Sequence, residues 1–207
     1  MLVGKWVTPN EVLEVVIKDK VFYDASNGGV TLSGGEPLLQ PDFAYAILKL
    51  CKDSKIHTAI ETSGYAEWSI LKKVLEYSDL VLYDIKHMDP TLHKEYTRVT
   101  NELILTNLRR ICYEMKVPVW ARVPIIPGCN DSFENLERMA QFLAELPGES
   151  ITQVNLLPYH NLWTGKLSLL ERPIPSVISS IRPPSEEDLL RIKKIFESRG
   201  LKTYIGG

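Results

Sequence analysis

The sequence predicts an α/β fold of parallel β/α units, and three observations carry that prediction. Short apolar runs alternate with segments whose apolar residues recur at helical spacing. Five such runs are separated by helices and followed by a final α/β pair, the pattern of a parallel sheet. Polar or glycine residues cluster just after the C-terminal end of each run, where β/α folds bind ligands. Right-handed crossovers wind such units into an open doubly wound sheet or a barrel, and periodicity alone does not choose.

Thr8-Pro9-Asn10-Glu11 is a capping box with proline at the first helical position, opening a helix to about Lys18. Asn27-Gly28-Gly29 breaks into the strand Val30-Thr31-Leu32. Pro41 starts a helix in which Phe43, Ile47 and Leu50 share a face. Ile56 to Ile60 is a strand, Trp68 to Glu76 a helix and Leu80 to Tyr83 a strand. Glu102 to Met115 is helical and Val117 to Ile126 extended. Asp131 with Glu134 caps the next helix, along which Leu136, Ala140 and Leu143 line up, and Val154 to Leu157 is again a strand. A Pro/Ser-rich crossing at 171–184 leads to a helix capped by Ser185, with Leu189, Ile192 and Phe196 inside and Gly200 at its end. Lys202 to Ile205 closes the chain as a strand.

A chain of 207 residues holds one domain with a substantial core rather than two large ones. Its formal charge of −2 gives no electrostatic reason to expect nucleic acid or an anionic membrane as partner. No run of about 18 apolar residues exists, so no spanning helix is expected. Met1 to Trp6 carries one lysine and leads into no apolar stretch, so no signal peptide is expected there. Cys51, Cys112 and Cys129 are odd in number and widely spaced, which argues against a disulfide framework and fits a reducing cytoplasm. They also lack the spacing of a thiolate metal cage, so they are expected to fill small spaces as isolated thiols.

Each strand end offers chemistry beside a plainer role. Gly34-Gly35 lets a ligand approach the backbone closely, and Glu36 can accept from an ammonium; the same glycines also suit a simple turn before Pro41. Asp84 and Lys86 lie two apart at a strand end, so they face one side. Together they suit the two charges of an amino acid, or form an ordinary surface ion pair. Arg122, inside Trp120-Ala121-Arg122-Val123-Pro124, needs a carboxylate: a ligand's, or that of Glu61 or Asp84. His160 after Tyr159 is either a donor to a ribose hydroxyl or a loop residue. An acid–base enzyme using Glu36, Asp84 and Lys86 on an unrelated β/α barrel is a weaker alternative.

Read in order, these residues resemble the radical-SAM superfamily, and within it the activating enzymes related to pyruvate formate-lyase activating enzyme. Gly28 to Gln40 is similar to the family's GGVTxSGGEPLLQ almost throughout. Ile56-His57-Thr58 leading into Glu61-Thr62-Ser63-Gly64 resembles its GIHTxxDTxG strand end, and Asp84-Ile85-Lys86 its D-L-K element. Trp120 to Pro127, Leu156 to His160, Pro183-Pro184-Ser185 and Tyr204 to Gly207 resemble further elements in the right order. The resemblance implies a partial (βα)6 barrel, open and TIM-like, with S-adenosylmethionine (SAM) across its strand ends. It implies that Gly34, Gly35 and Glu36 contact the methionyl amino group. Thr62, Asp84, Lys86 and Arg122 would hold the charged end and His160 the ribose. Glu61 stands where the family has aspartate and Ser63 where asparagine is frequent, and a monovalent cation would lie near Glu61, Thr62 and Asp84.

The family's CxxxCxxC loop, whose thiolates hold a [4Fe–4S] cluster, is absent, and with it the first β/α unit. The resemblance therefore divides the chain into residues 1–26, the lead-in helix that follows the cluster loop, and 27–207, a partial barrel with a C-terminal α/β tail. The expectation is the SAM-binding portion of an activating enzyme, one that generates a glycyl radical on a partner enzyme through a 5′-deoxyadenosyl radical. The family also implies an electron donor such as flavodoxin or ferredoxin. For this chain by itself, no cluster, no metal and no catalytic residue are expected, and a fragment of a longer enzyme is weighed against a non-catalytic homologue that binds SAM or the partner.

Overall fold

The computed structural model of the chain describes residues 4–160 and 182–206. Most of the Pro/Ser-rich crossing expected at 171–184 lies outside these residues. Six strands form one sheet in chain order: β1 (Gly29–Leu32), β2 (His57–Thr62), β3 (Leu80–Asp84), β4 (Val119–Ile125), β5 (Ile151–Pro158) and β6 (Thr203–Ile205). Every neighbouring pair is parallel. A doubly wound sheet reverses its strand order part-way, which places helices on both faces. Here the order never reverses, so right-handed crossovers put the described helices that join successive strands on one face, and the sheet is an open, partial barrel.

Burial follows that asymmetry with a period of two. Ile60, Val81, Tyr83, Val119, Ala121, Val123, Val154 and Leu156 face the helices and are fully buried in one continuous core. The alternate residues Glu61, Leu82, Asp84, Trp120 and Arg122 are half-buried on the other face, away from the described helices. A sheet covered on both sides would read as unbroken apolar runs. The charged residues inside these strands mark the face that the described helices leave open.

The helices of the described residues are α1 (Pro9–Val16), α2 (Lys20–Ser26), α3 (Pro41–Asp53), α4 (Trp68–Leu75), α5 (Pro90–Thr97), α6 (Glu102–Arg110), α7 (Phe133–Ala144) and α8 (Glu186–Glu197). Thr8 and Glu11 form the expected capping box, Thr8 N–H donating to Glu11 Oε2 at 2.6 Å and Glu11 N–H to Thr8 Oγ1 at 3.3 Å. The first helix is shorter than expected: a 3-10 turn, Ile17–Asp19, follows it and α2 then runs to the left-handed Asn27 (φ 51°). The α3 face also differs. Ala44 and Leu48 join the main core, whereas Phe43, Ile47 and Cys51 form a second cluster with Val12, Leu13 and Val16 beneath α1.

Helix α5 escaped the periodicity because only His93 on it is buried. Its signal was the Asp89-Pro90 pair: Asp89 Oδ1 accepts from Thr91 N at 2.8 Å and Leu92 N at 2.9 Å, capping the helix start. At α7 the cap is Ser132, whose Oγ accepts from Asn135 N at 3.3 Å, rather than Asp131. Asp131 instead accepts from Gly128 N at 2.8 Å and closes the turn after β4. The helical stretch at 102–115 is α6 followed by one π turn, Ile111–Met115. Helix α8 is as expected, with Ser185 as its cap and Leu189, Ile192 and Phe196 buried.

Candidate functional site

The exits of β1, β2 and β3 meet around a polar cavity of about 340 Å3 lined by Ser33, Gly34, Gly35, Glu36, Glu61, Thr62, Ser63, Asp84 and Lys86. Gly34 has φ 126°, a conformation few residues other than glycine adopt, and no atom lies within 4 Å of where a Cβ would sit on Gly34 or Gly35. The backbone at this turn is therefore open to the cavity.

Glu36 braces the cavity floor. Its Oε1 accepts from Thr62 Oγ1 at 2.6 Å and Leu38 N at 3.2 Å, and its Oε2 from Ser63 N at 2.9 Å and Ser63 Oγ at 2.7 Å. The β2 exit is held from the other side by buried Asn107, whose Nδ2 donates to the carbonyls of Gly64 and Ala66, each at 2.8 Å. Tyr83 fills the space beneath Gly64, and its hydroxyl donates to Ile104 O at 2.7 Å. Burial holds the Tyr83 phenol well above its ordinary pKa, so it remains a donor.

Above this floor the charges pair. Arg122 Nη1 lies 2.5 Å from Glu61 Oε1, and Ser33 Oγ donates to Glu61 Oε2 at 2.6 Å. Lys86 Nζ donates to Asp84 Oδ2 at 3.1 Å. The guanidinium on β4 thus takes the protein carboxylate Glu61, one of its two candidate structural partners. The three groups named for a monovalent cation are each engaged: Glu61 with Arg122 and Ser33, Thr62 with Glu36, and Asp84 with Lys86.

A second, more apolar cavity of about 630 Å3 lies beside the first, at the exits of β3, β4 and β5. Its walls include His87, Tyr96, Ile126, Cys129, Asn130, Leu157, Tyr159 and His160. Lys86 lines both cavities. Burial lowers the His87 pKa, and its Nδ1 accepts from Asp89 N at 2.9 Å, so the neutral ring carries its proton on Nε2. Gly34, Gly35, Glu36, Thr62, Asp84 and Lys86 therefore come together in the polar cavity. His160, exposed, stands on the second one, and Arg122 lines neither, reaching the first through Glu61. Ser33 belongs to the strand-end cluster Ser33-Gly34-Gly35-Glu36, whereas His87, Tyr96, Cys129 and Asn130 carry no site role in the sequence reading. Three of these four follow strands by only a few residues, so extending the rim rule past the last apolar residue finds them; Tyr96 comes from α5.

Residues 2–143 match the family model described as the radical SAM superfamily. The chain belongs to the radical SAM superfamily. It is 47% identical over 173 residues to the isethionate sulfite-lyase activating enzyme of Oleidesulfovibrio alaskensis, covering 83% of this chain and 55% of that protein. It is 39% identical over 209 residues to the trans-4-hydroxy-L-proline dehydratase activating enzyme of Clostridioides difficile, covering 100% of this chain and 67% of that one. The crystal structure of a domain of pyruvate-formate lyase-activating enzyme from Bacteroides vulgatus superposes with a TM-score of 0.73 at 39% identity, covering 87% of this chain and 99% of that chain. The chain spans 55–67% of the length of these curated relatives.

Radical SAM membership implies SAM and a [4Fe–4S] cluster as the family's cofactors. The cysteines do not fit a cluster. Cys51 is buried on α3 beside Ile47 and Ile56, Cys112 is buried in the π turn after α6, and Cys129 lies at the second cavity. Burial raises the pKa of all three, so they stay thiols. Among the described residues, no three His, Cys, Asp or Glu side chains converge as a metal site. SAM meets a better fit: open backbone at Gly34 and Gly35, both charge signs at Asp84 and Lys86, which pair with each other at 3.1 Å on the cavity wall, and an apolar cavity alongside.

Proposed function

We propose that this chain is the SAM-binding portion of an activating enzyme that places a glycyl radical on a partner enzyme. The observation that carries the proposal is the polar cavity joined to an apolar one through Lys86. SAM has the same division: a zwitterionic methionyl end and a largely apolar adenosyl end. Gly34, Gly35, Glu36, Thr62, Asp84 and Lys86 take the methionyl end. His160 takes the ribose, and Arg122 acts at the charged end through its hold on Glu61. The rim carries three carboxylates, Glu36, Glu61 and Asp84, against two cations, Lys86 and Arg122, and so complements a ligand with a sulfonium, an ammonium and one carboxylate. That the relatives are named as activating enzymes supports a glycyl-radical enzyme as protein partner. An electron donor such as flavodoxin or ferredoxin belongs to this reading on the family resemblance alone.

Residues 27–207 act as one partial barrel, with 1–26 as its lead-in, in a cytoplasmic protein. No helix of the described residues is long and apolar enough to cross a membrane. Because the three cysteines do not form a ligand set, this chain by itself binds SAM, or its partner, without cleaving SAM. Calorimetric titration with SAM tests the site: Lys86→Ala and Arg122→Ala should each weaken binding by about tenfold, since each removes a charge-assisted contact or its support. Equal binding by both variants and the parent would sink the proposed clamp. After anaerobic reconstitution, the chain should hold no stoichiometric cluster and yield no 5′-deoxyadenosine; finding both would overturn the division of labour.

A further inference from the structure

β3 leaves the sheet through Lys86-His87-Met88, and each of these residues is hydrogen-bonded by a different buried asparagine. Asn130 Nδ2 donates to Lys86 O at 2.9 Å, Asn101 Nδ2 donates to His87 O at 2.9 Å, and Asn135 Oδ1 accepts from Met88 N at 2.8 Å. Asn130 also donates to Pro124 O at 2.6 Å and accepts from Ile126 N at 2.8 Å, while its own carbonyl accepts from Asn135 Nδ2 at 2.7 Å. All three asparagines are at most 4% exposed.

The need for this arrangement follows from the ladder. The last backbone bond between β3 and β4 runs from Ile85 N to Arg122 O at 2.9 Å, and the register pairs Asp84 with Arg122. In a parallel ladder the next rung would come from the N–H of residue 124 to the carbonyl of Ile85. Residue 124 is proline and has no N–H. The strands therefore lose their own tie one residue before Lys86. Both hydrogens of the Asn130 amide are spent on the two strand ends, and its oxygen accepts from Ile126 N, so no donor hydrogen is left over for a ligand.

We infer that Asn130 is a positioning residue: it replaces the rung that Pro124 cannot make and so fixes Lys86 on the wall shared by the two cavities. This rests on the SAM site proposed above. Its loss lets the β3 and β4 exits separate and leaves two strand-end carbonyls and one N–H unpaired.

The test is a double-mutant cycle read by SAM titration, well below the melting temperature of each variant. Asn130→Ser should weaken SAM by about tenfold in the parent, and by less than about twofold when Lys86 is already alanine, because the two act through one contact. The same loss in both backgrounds would overturn the inference, since a general loosening of the fold does not depend on Lys86. Hydrogen exchange supplies a readout that needs no ligand. In Asn130→Ser, peptides covering 84–90 should exchange faster while those covering 57–62 are unchanged. Unchanged exchange at 84–90 would overturn the staple whether or not SAM binds. Failure of the parent chain to bind SAM, with faster exchange at 84–90, would instead refute the site and leave the staple standing.

Discussion

Arg122 on β4 reaches diagonally past β3 to Glu61 on β2, with Nη1 2.5 Å from Oε1, and so ties β2 to β4 across the strand between them. The arginine side chain is 21% exposed and the glutamate 30%, between the idle surface pair and the fully desolvated one. Truncating either residue should cost about 1–2 kcal/mol, because the partner is left half-buried without its counter-charge. The double variant Glu61→Ala/Arg122→Ala should lose less than the sum of the singles in urea unfolding. Strictly additive losses would show that the pair contributes nothing.

Gly64 follows β2 with φ 69°, and a Cβ there would collide with the Tyr83 hydroxyl. Gly64→Ala therefore combines a strained backbone with overpacking against a fully buried ring, and should cost about 2–4 kcal/mol. Gly148→Ala is the control: nothing lies within 4 Å of its Cβ position, so its effect should stay within about 0.5 kcal/mol. Thermal unfolding of the two variants beside the parent decides it, and a tolerated Gly64→Ala would mean that the β2 exit yields easily.

Strand positions and the polar cluster at the strand exits were legible because both depend on local pattern. Period-two burial sets Val119 to Ile125, and glycine at 34 and 35 announces an open turn. The choice of barrel over doubly wound sheet was not legible from periodicity, since strand order is a relation between distant segments. The resemblance supplied it. Helix α5 and the asparagines 101, 130 and 135 were missed for a related reason. A polar helix with one buried residue has no apolar stripe, and a buried asparagine looks like a loop residue until its partners, up to 47 positions away, are brought to it.

Asp79 clips the start of β3 to the start of β2: its Oδ2 accepts from Thr58 N at 3.0 Å and Thr58 Oγ1 at 3.2 Å, and Oδ1 pairs with Lys52. Burial pushes its carboxyl up, but Lys52 and Thr58 together outweigh burial and hold it below its ordinary 3.8. A depressed folded-state pKa means stability that is present above 3.8 and is lost as pH falls through the lower folded value. Asp79→Asn should thus be less stable than the parent at neutral pH, and the gap should narrow as pH falls below 3.8. Urea midpoints for both proteins across that range are the measurement; a gap independent of pH would sink the assignment.

Burial pushes the Cys112 thiol up to about 11, and Cys51 and Cys129 are raised by burial too, with Asp131 adding to the rise at Cys129. At pH 8 a thiol of that pKa is thiolate to only about one part in a thousand, and Cys51 and Cys112 are also closed to reagent. Cys129 is half-buried at the mouth of the second cavity. Iodoacetamide should therefore mark Cys129 first in the folded chain and reach the other two only on unfolding. Because the Cys112 pKa is raised above the 9.0 of a free thiol, its protonated form adds stability that is complete below pH 9.0 and is lost as pH rises through about 11. Cys112→Ser should flatten that alkaline decline. Labelling of Cys112 at the rate of Cys129 in folded protein would show instead that the π turn at 111–115 opens readily to solvent.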